Sequence, residues 1–138
     1  MDRSLAEKLV ENARVGRLAT RTTNGRIDLV PITFAVVEGR IVTAVDHKPK
    51  TTTHLKRLDN IRANPEVSVI VDEYDDDRWS ELWWVRLQGL AAIIDDAAES
   101  AAALDALVAK YDQYRGARPA GSVIRIEPIQ WQWWSATP

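Results

Sequence analysis

A cluster of basic residues between positions 48 and 62 has the residue types and spacing that best suit a ligand-binding site. Its members are Lys48, Lys50, Lys56, Arg57 and Arg62. Lys48 and Lys50 precede a predicted helix N-terminus, where the helix dipole and free N–H groups favour an anion over a cation. Together with the hydroxyls of Thr51–Thr53, these lysines indicate a phosphate or carboxylate site. The alternative is a solvated loop with ordinary surface lysines.

The strand predicted over residues 82–94 carries a second candidate site. One face of it, from Trp83 to Ile93, is wholly apolar and is predicted to lie in the core. The other face places Arg86 and Gln88 between apolar side chains, which favours contact with a ligand or a partner chain. A partly exposed face with an extended arginine is the alternative.

Tryptophan is unusually frequent for a chain of this size. The 138 residues include six tryptophans, but only one phenylalanine and three tyrosines. Six indole rings are difficult to bury around a single small core. The excess therefore predicts that some rings line a ring-binding pocket or a subunit interface. For any single tryptophan, core packing remains the alternative.

The composition excludes several kinds of catalytic and metal site. There is no cysteine, and the two histidines, His47 and His54, have no further ligand at metal-binding spacing. The acidic stretch 72–77 is interpreted as a solvated turn, so no metal site is predicted. We find no glycine-rich phosphate motif and no Ser-His-acid arrangement. If the protein is an enzyme, a cofactor must supply the reactivity.

The charge and hydropathy of the sequence argue against nucleic acid as a partner and against a membrane span. The formal net charge is −2 and the pI is near 5.7, which argues against a nucleic-acid binder. No apolar run reaches the roughly 18 residues that a membrane span requires. The first residues do not resemble a signal peptide, so we expect a cytoplasmic protein.

Hydrophobic periodicity and turn signals predict a single domain over residues 1–138. Helices are expected at 2–13, from the Thr51–Thr53 caps to Asn64, and at 95–114. Six strands are predicted, at 15–21, 27–36, 41–45, 67–71, 82–94 and 122–134. Strands connected mostly by hairpins, with helices between them, indicate a mainly β fold: a six-stranded antiparallel barrel with peripheral helices.

Three segments, in chain order, resemble the split β-barrel flavin proteins, the superfamily of pyridoxamine phosphate oxidase and its F420-binding relatives. They are Gly16–Thr20 with Val30–Phe34, the basic helix and Asn-Pro strand of Arg57–Val69, and Trp84–Gly89. The Asp-His-Lys-Pro-Lys segment and the Leu-Trp-Trp-Val-Arg strand are most similar to the F420-dependent branch. The resemblance covers about residues 3–134.

The resemblance implies an FMN-binding split-barrel type of fold and a homodimer with two cofactors in clefts between the subunits. It places Arg17, Leu18 and the backbone of Pro31, Ile32 and Thr33 along the cofactor ring system. It implies that Arg57 contacts the cofactor phosphate, beside a phosphate-binding segment with Lys48, Lys50, Thr51 and Thr52. Arg86 matches the family's strand arginine, and Trp79 or Trp84 would cover the ring from the second subunit.

The function that the resemblance implies is an F420-dependent oxidoreductase acting on a small unsaturated or electron-poor organic molecule. No side chain is assigned as a catalytic acid or base. Pyridoxamine phosphate oxidation is not expected, because the chain ends in Gln130–Pro138 rather than in the Arg-Leu-x-Pro tail of those oxidases. The alternatives are an FMN- or haem-binding protein of the same fold, a non-catalytic F420 carrier, and a dimeric interaction module.

Overall fold

The computed structural model describes the backbone of residues 1–45 and 52–138, with side chains for 1–45 and 56–138. Its helices are α1 (Arg3–Asn12), α2 (Thr52–Ala63) and α3 (Ala97–Lys110), with short 3-10 turns at Trp79–Glu81 and Asp112–Tyr114. Side-chain oxygens of Asp2 and Asp96 accept hydrogen bonds from the first turns of α1 and α3, as helix caps do. None of the described helices is long and apolar enough to cross a membrane.

Seven strands form one antiparallel sheet in the order β2-β1-β5-β6-β7-β4-β3. They are β1 (Gly16–Arg21), β2 (Ile27–Ile32), β3 (Ala35–Val37), β4 (Arg40–Ala44), β5 (Glu66–Glu73), β6 (Trp83–Ile93) and β7 (Val123–Ser135).

The sheet must curl, because its two edge strands are close neighbours in the chain. Only Thr33 and Phe34 separate β2 from β3, which lie at opposite edges. Seven strands laid flat would put those edges about 29 Å apart. Two linking residues span only about 11 Å between the flanking Cα atoms. The edges therefore approach each other, as in a partly closed barrel.

The mainly β, antiparallel fold with peripheral helices is confirmed, whereas the prediction of six strands is wrong. The segment 27–36, predicted as one strand, is two strands that join different edges of the sheet. At the break, the Tyr111 hydroxyl accepts a hydrogen bond from the Phe34 N–H at 3.1 Å. The Thr43 hydroxyl donates to the Thr33 carbonyl at 2.7 Å. These side chains satisfy backbone groups that a continuous strand would have paired with its neighbours.

The inner face of the sheet carries the core. Val69, Val85 and Leu87 are almost completely buried there, beneath residues of α1 and α2 such as Val10 and Ile61. A second buried cluster lies under α3. The predicted apolar face of the 82–94 strand is confirmed as core-facing.

A β-bulge between β6 and β7 shapes the opposite face of the sheet. Gln88 pairs with Gln130 and Gly89 with Pro128, so Ile129 has no direct partner on β6. A Cβ at Gly89 would lie 2.5 Å from the carbonyl oxygen of Glu127, so only glycine fits this close approach. Ile129 is 62% exposed as a result of this local geometry.

Candidate functional site

One row of side chains crosses the outer face of five neighbouring strands. In register order the row is Pro31, Arg17, Ile70, Arg86 and Gln132. Side chains alternate between the faces of a strand, and the sequence neighbours of Arg86, Val85 and Leu87, lie in the core. The row therefore points away from the core.

Arg86 is held in place within this row. Its Nε and Nη2 both donate hydrogen bonds to Oε1 of Gln132, the Nε bond at 3.1 Å. Its guanidinium carbon also lies 5.2 Å from the centroid of the Trp84 ring. Since Arg86 is half-buried and has no carboxylate partner among the described residues, its charge stays available to an anionic or electron-rich ligand.

Aromatic and charged side chains continue the same face toward one end of the sheet. Trp84 lies opposite Trp134 on β7 and opposite Asp72 on β5. Arg17 Nη1 lies 3.6 Å from Asp72 Oδ1, a long ion pair with both side chains about half exposed. Trp134 is 46% exposed. Indole faces beside guanidinium groups suit a planar ring system that carries negative charge.

The other end of the outer face is apolar and exposed. Leu29, Ile27 and Ile129 are 66%, 74% and 62% exposed, and Leu90 is 43% exposed. Ile27 and Ile129 border a shallow cavity of about 260 Å³. Exposed apolar side chains concentrated on one sheet face are typical of an interaction surface.

Arg57 on α2 is the cation whose environment is most unusual. The residue is half-buried, and burial lowers the pKa of its guanidinium, with no described carboxylate opposing the shift. Arg62, on the same helix, differs: its side chain is 62% exposed and lies 3.5 Å from Asp59. A half-buried cation without a carboxylate partner is costly unless an anion joins it.

Helix α2 is fixed to the sheet by a buried amide. Asn60 is 3% exposed, and its Nδ2 donates to Thr20 Oγ1 at 3.1 Å and to Asp28 Oδ2 at 2.9 Å. Leu58 and Ile61 are buried on either side of it. The sequence analysis did not single out Asn60, although an amide between two apolar residues of a helix indicates a buried hydrogen bond.

The comparisons with known proteins agree with this architecture. The family model described as pyridoxamine 5'-phosphate oxidase matches residues 4–135. The chain belongs to this family. No curated protein matches it. The family resemblance inferred from the sequence is thereby confirmed, and assignment to the F420-dependent branch stays a prediction.

Several solved structures have a similar fold, and two of the three described next are named for different ligands. A conserved hypothetical protein from Mycobacterium tuberculosis has a TM-score of 0.81 at 21% identity, covering 99% of this chain and 86% of its own. An FAD-binding protein from Mesorhizobium loti has a TM-score of 0.73 at 23% identity, covering 96% and 94%. A haem storage protein from Vibrio cholerae has a TM-score of 0.72 at 15% identity, covering 96% and 93%. At these identities the likeness shows the fold alone.

The structure places the predicted site residues in three groups. Arg17, Pro31, Arg86 and Trp84 share the outer face described above. Leu18 and Ile32 are 0% and 5% exposed, with side chains in the core, so only their backbone atoms are available to a ligand. The Thr33 hydroxyl lies 2.7 Å from the Tyr114 hydroxyl, in the link between β2 and β3.

The remaining predicted residues are less completely located. Trp79 lies in the turn before β6 and is 64% exposed. Lys48, Lys50 and Thr51 lie outside the described residues. Thr52 is the first residue of α2, and its side chain lies outside the described part of the chain.

Proposed function

We propose that this member of the pyridoxamine 5'-phosphate oxidase family is an F420-dependent oxidoreductase that acts on a small unsaturated organic molecule. The observation that carries the proposal is Arg57, a half-buried guanidinium with no carboxylate partner among the described residues. It supports an anionic cofactor group beside the middle of α2. The basic residues around it favour a long acidic tail, such as the phospholactyl-polyglutamate of F420, over the single phosphate of FMN.

The outer face fits the ring system of such a cofactor. Arg17 and Pro31 lie side by side in the cross-strand row, and Trp84 with Arg86 supplies a ring face and a positive charge. In this proposal the ring lies along Arg17, Pro31 and the backbone of Leu18, Ile32 and Thr33. When bound, a deazaflavin supplies hydride transfer.

Each group of residues has a distinct task in the proposal. Arg57, with Lys48, Lys50, Thr51 and Thr52, binds the phosphate and the acidic tail. Trp79 or Trp84 of the second subunit covers the ring and excludes water from it. The Arg86–Gln132 pair fixes the orientation of the ring. The protein contributes position and electrostatics, and no described side chain is assigned a proton-transfer role.

We further propose that the functional unit is a homodimer formed through the outer face of the sheet. The support is the exposed group of Ile27, Leu29, Leu90 and Ile129, which a second copy would cover. Because Trp84 and Arg86 lie on that same face, pairing of two sheets would place the cofactor in clefts between the subunits.

A haem- or flavin-binding function is the second candidate. Neighbours of the same fold are named as haem storage and FAD-binding proteins. Haem iron is commonly held by histidine, and the chain contains only His47 and His54. Loss of haem binding on replacing both histidines by alanine would support this candidate, and a protein that binds no haem would rule it out.

The proposed enzymatic function is tested by measuring whether the protein catalyses oxidation of reduced F420 by a substrate. Purified protein is mixed with reduced F420 and a panel of enones and quinones, and F420 absorbance is followed. Reoxidation that requires both protein and substrate supports the proposal. Binding of F420 without turnover of any substrate would make the protein a carrier. A yellow or red protein as purified, with no response to F420, would contradict the proposal.

A further inference from the structure

A second cavity, of about 260 Å³, lies on the other side of the sheet from the outer-face row of Arg17, Arg86 and Gln132. It is enclosed by α1, the β3–β4 hairpin and β7. Its partly exposed apolar lining includes Val36, Pro128 and Trp131. Trp131 lies opposite Leu87, which is buried in the core, whereas its neighbour Gln132 lies opposite Arg86 on the outer face. The cavity and the outer-face row are therefore on different faces of the sheet.

The charged side chains of this cavity carry an excess of negative charge. Two arginines face four glutamates: Arg3, Arg40, Glu7, Glu11, Glu38 and Glu127. Arg3 pairs with Glu7 at 2.8 Å, and Arg40 pairs with Glu127 at 2.6 Å. Glu11 and Glu38 form no ion pair with any described residue. Their charges act on Lys110 and Arg40 at longer range, and they also add to the negative charge that attracts a cation into the cavity.

Glu38 occupies a position that its own backbone does not favour. It has a φ of +51° and is followed by Gly39 at +76°, so both residues of this two-residue hairpin turn are left-handed. Asparagine and glycine are the residues that such turns prefer, because a longer side chain is strained there. This left-handed turn places the Glu38 side chain at the lining of the cavity.

Trp131 shows that the cavity can hold a cation. The guanidinium carbon of Arg3 lies 4.7 Å from the centroid of its ring, within the range of a cation–π contact. Arg3 belongs to the first turn of α1, and its side chain is 57% exposed. A half-exposed arginine on a helix end is held weakly, so another cation can displace it from the ring.

We propose that this cavity binds a small organic cation, an ammonium group attached to an apolar body. The ammonium group takes the place of the Arg3 guanidinium over Trp131 and is attracted by Glu11 and Glu38. The apolar body packs against Val36 and Pro128, which line the cavity and are only partly buried. The proposal is independent of the cofactor, because none of these residues belongs to the cofactor site.

The test uses choline and two analogues of the same shape, neutral 3,3-dimethylbutanol and anionic 3,3-dimethylbutanoate. Binding is followed by the ¹⁵N–¹H resonance of the Trp131 indole, whose buried Nε1 has no hydrogen-bond partner among the described residues. Trp131→Phe assigns that resonance. Glu11→Gln and Glu38→Gln remove the unpaired charges, Arg3→Gln frees the ring, and exposed Glu73→Gln is the matched control.

We expect choline to shift the Trp131 resonance with a millimolar Kd, and the two analogues to bind more weakly. Glu11→Gln and Glu38→Gln should each weaken choline binding about threefold to tenfold. Arg3→Gln should tighten it, and Glu73→Gln should leave it within about twofold. Equal binding of the neutral analogue, no shift with choline, or an Arg3→Gln protein that binds no more tightly would overturn the proposal.

Discussion

Arg86 donates two hydrogen bonds to a single oxygen, Oε1 of Gln132, on the neighbouring strand. The pairing fixes the guanidinium on the outer face beside the Trp84 ring. A side chain held in this way loses little freedom when a ligand binds, so it is ready to orient one.

Gln132→Ala should therefore weaken cofactor binding while the fold persists. Without its partner Arg86 becomes mobile, and we expect a loss of about 1 kcal/mol in binding free energy, or about fivefold in Kd. The matched control is Gln130→Ala on the same strand and face, which lies opposite Gln88 rather than Arg86. Titration followed by tryptophan fluorescence measures both. Equal effects of the two substitutions would show that the Arg86–Gln132 pair has no special role.

Asn60→Ala should destabilise the protein by about 2–3 kcal/mol, because Thr20 and Asp28 lose a donor in a partly buried place. Asn64→Ala is the control: its side chain makes no hydrogen bond among the described residues, and its effect should stay below about 0.5 kcal/mol. Urea unfolding gives both values. An Asn60→Ala protein as stable as the parent would mean that the amide does not anchor α2.

Lys110→Met should stabilise the protein at neutral pH. The Lys110 Nζ has no hydrogen-bond partner among the described residues, lies 4.1 Å from the centroid of the Phe34 ring, and burial lowers its pKa to about 8. We expect a gain of about 1 kcal/mol, since the residue is only half-buried and the cation–π contact is lost.

The Lys110→Met substitution should also change how the stability of the protein depends on pH. The pKa of Lys110 is lower in the folded protein, about 8, than the ordinary lysine value of 10.5. Between these two pH values the folded protein has lost the proton and the unfolded chain still binds it. Unfolding therefore takes up a proton, and the stability of the parent rises with pH over this interval. Lys110→Met should lose that rise, and exposed Lys8→Met should keep it. Thermal melts between pH 7 and pH 9.5 check this, below the raised pKa of Tyr111. A parent whose stability falls over that interval would contradict the assignment.

Ile129→Asp and Leu29→Asp should convert the proposed dimer to monomers, because each places a charge in the middle of the apolar outer surface. Leu5→Asp is the control, since Leu5 is 46% exposed but lies on α1. Analytical ultracentrifugation distinguishes the species. A monomeric parent protein, or equal disruption by Leu5→Asp, would refute an interface at this face.

Local patterns were sufficient to predict much of the fold. Alternation along residues 82–94 correctly separated Val85 and Leu87 from Arg86, because the side-chain period of a strand is fixed by its geometry. The helix predicted at 95–114 is α3, which begins after the Asp96 cap. Among the tryptophans, Trp131 packs against the core, whereas Trp134 and Trp79 are exposed. That some of these rings line a cofactor pocket or a subunit interface stays a prediction.

Features that depend on distant residues could not be predicted. The break between β2 and β3 needs the hydroxyl of Tyr111, 77 positions beyond Phe34. Arg57 and Arg62 look alike in the sequence. Their different exposure depends on how α2 packs, which leaves Arg57 half-buried and Arg62 exposed. The row from Arg17 to Gln132 likewise depends on the register of five strands, which no local pattern specifies.

The central proposal is tested most directly by measuring two dissociation constants at equilibrium. One is for intact F420, and the other is for the F420 chromophore without its phosphate and acidic tail. The parent protein should bind F420 more tightly than FMN and much more tightly than the tail-less chromophore. Arg57→Gln should weaken F420 binding about tenfold or more and leave the tail-less chromophore unaffected. Arg62→Gln, whose arginine is exposed and paired, should change neither by more than about twofold. Tighter binding of FMN than of F420, or equal effects of the two arginine substitutions, would contradict it.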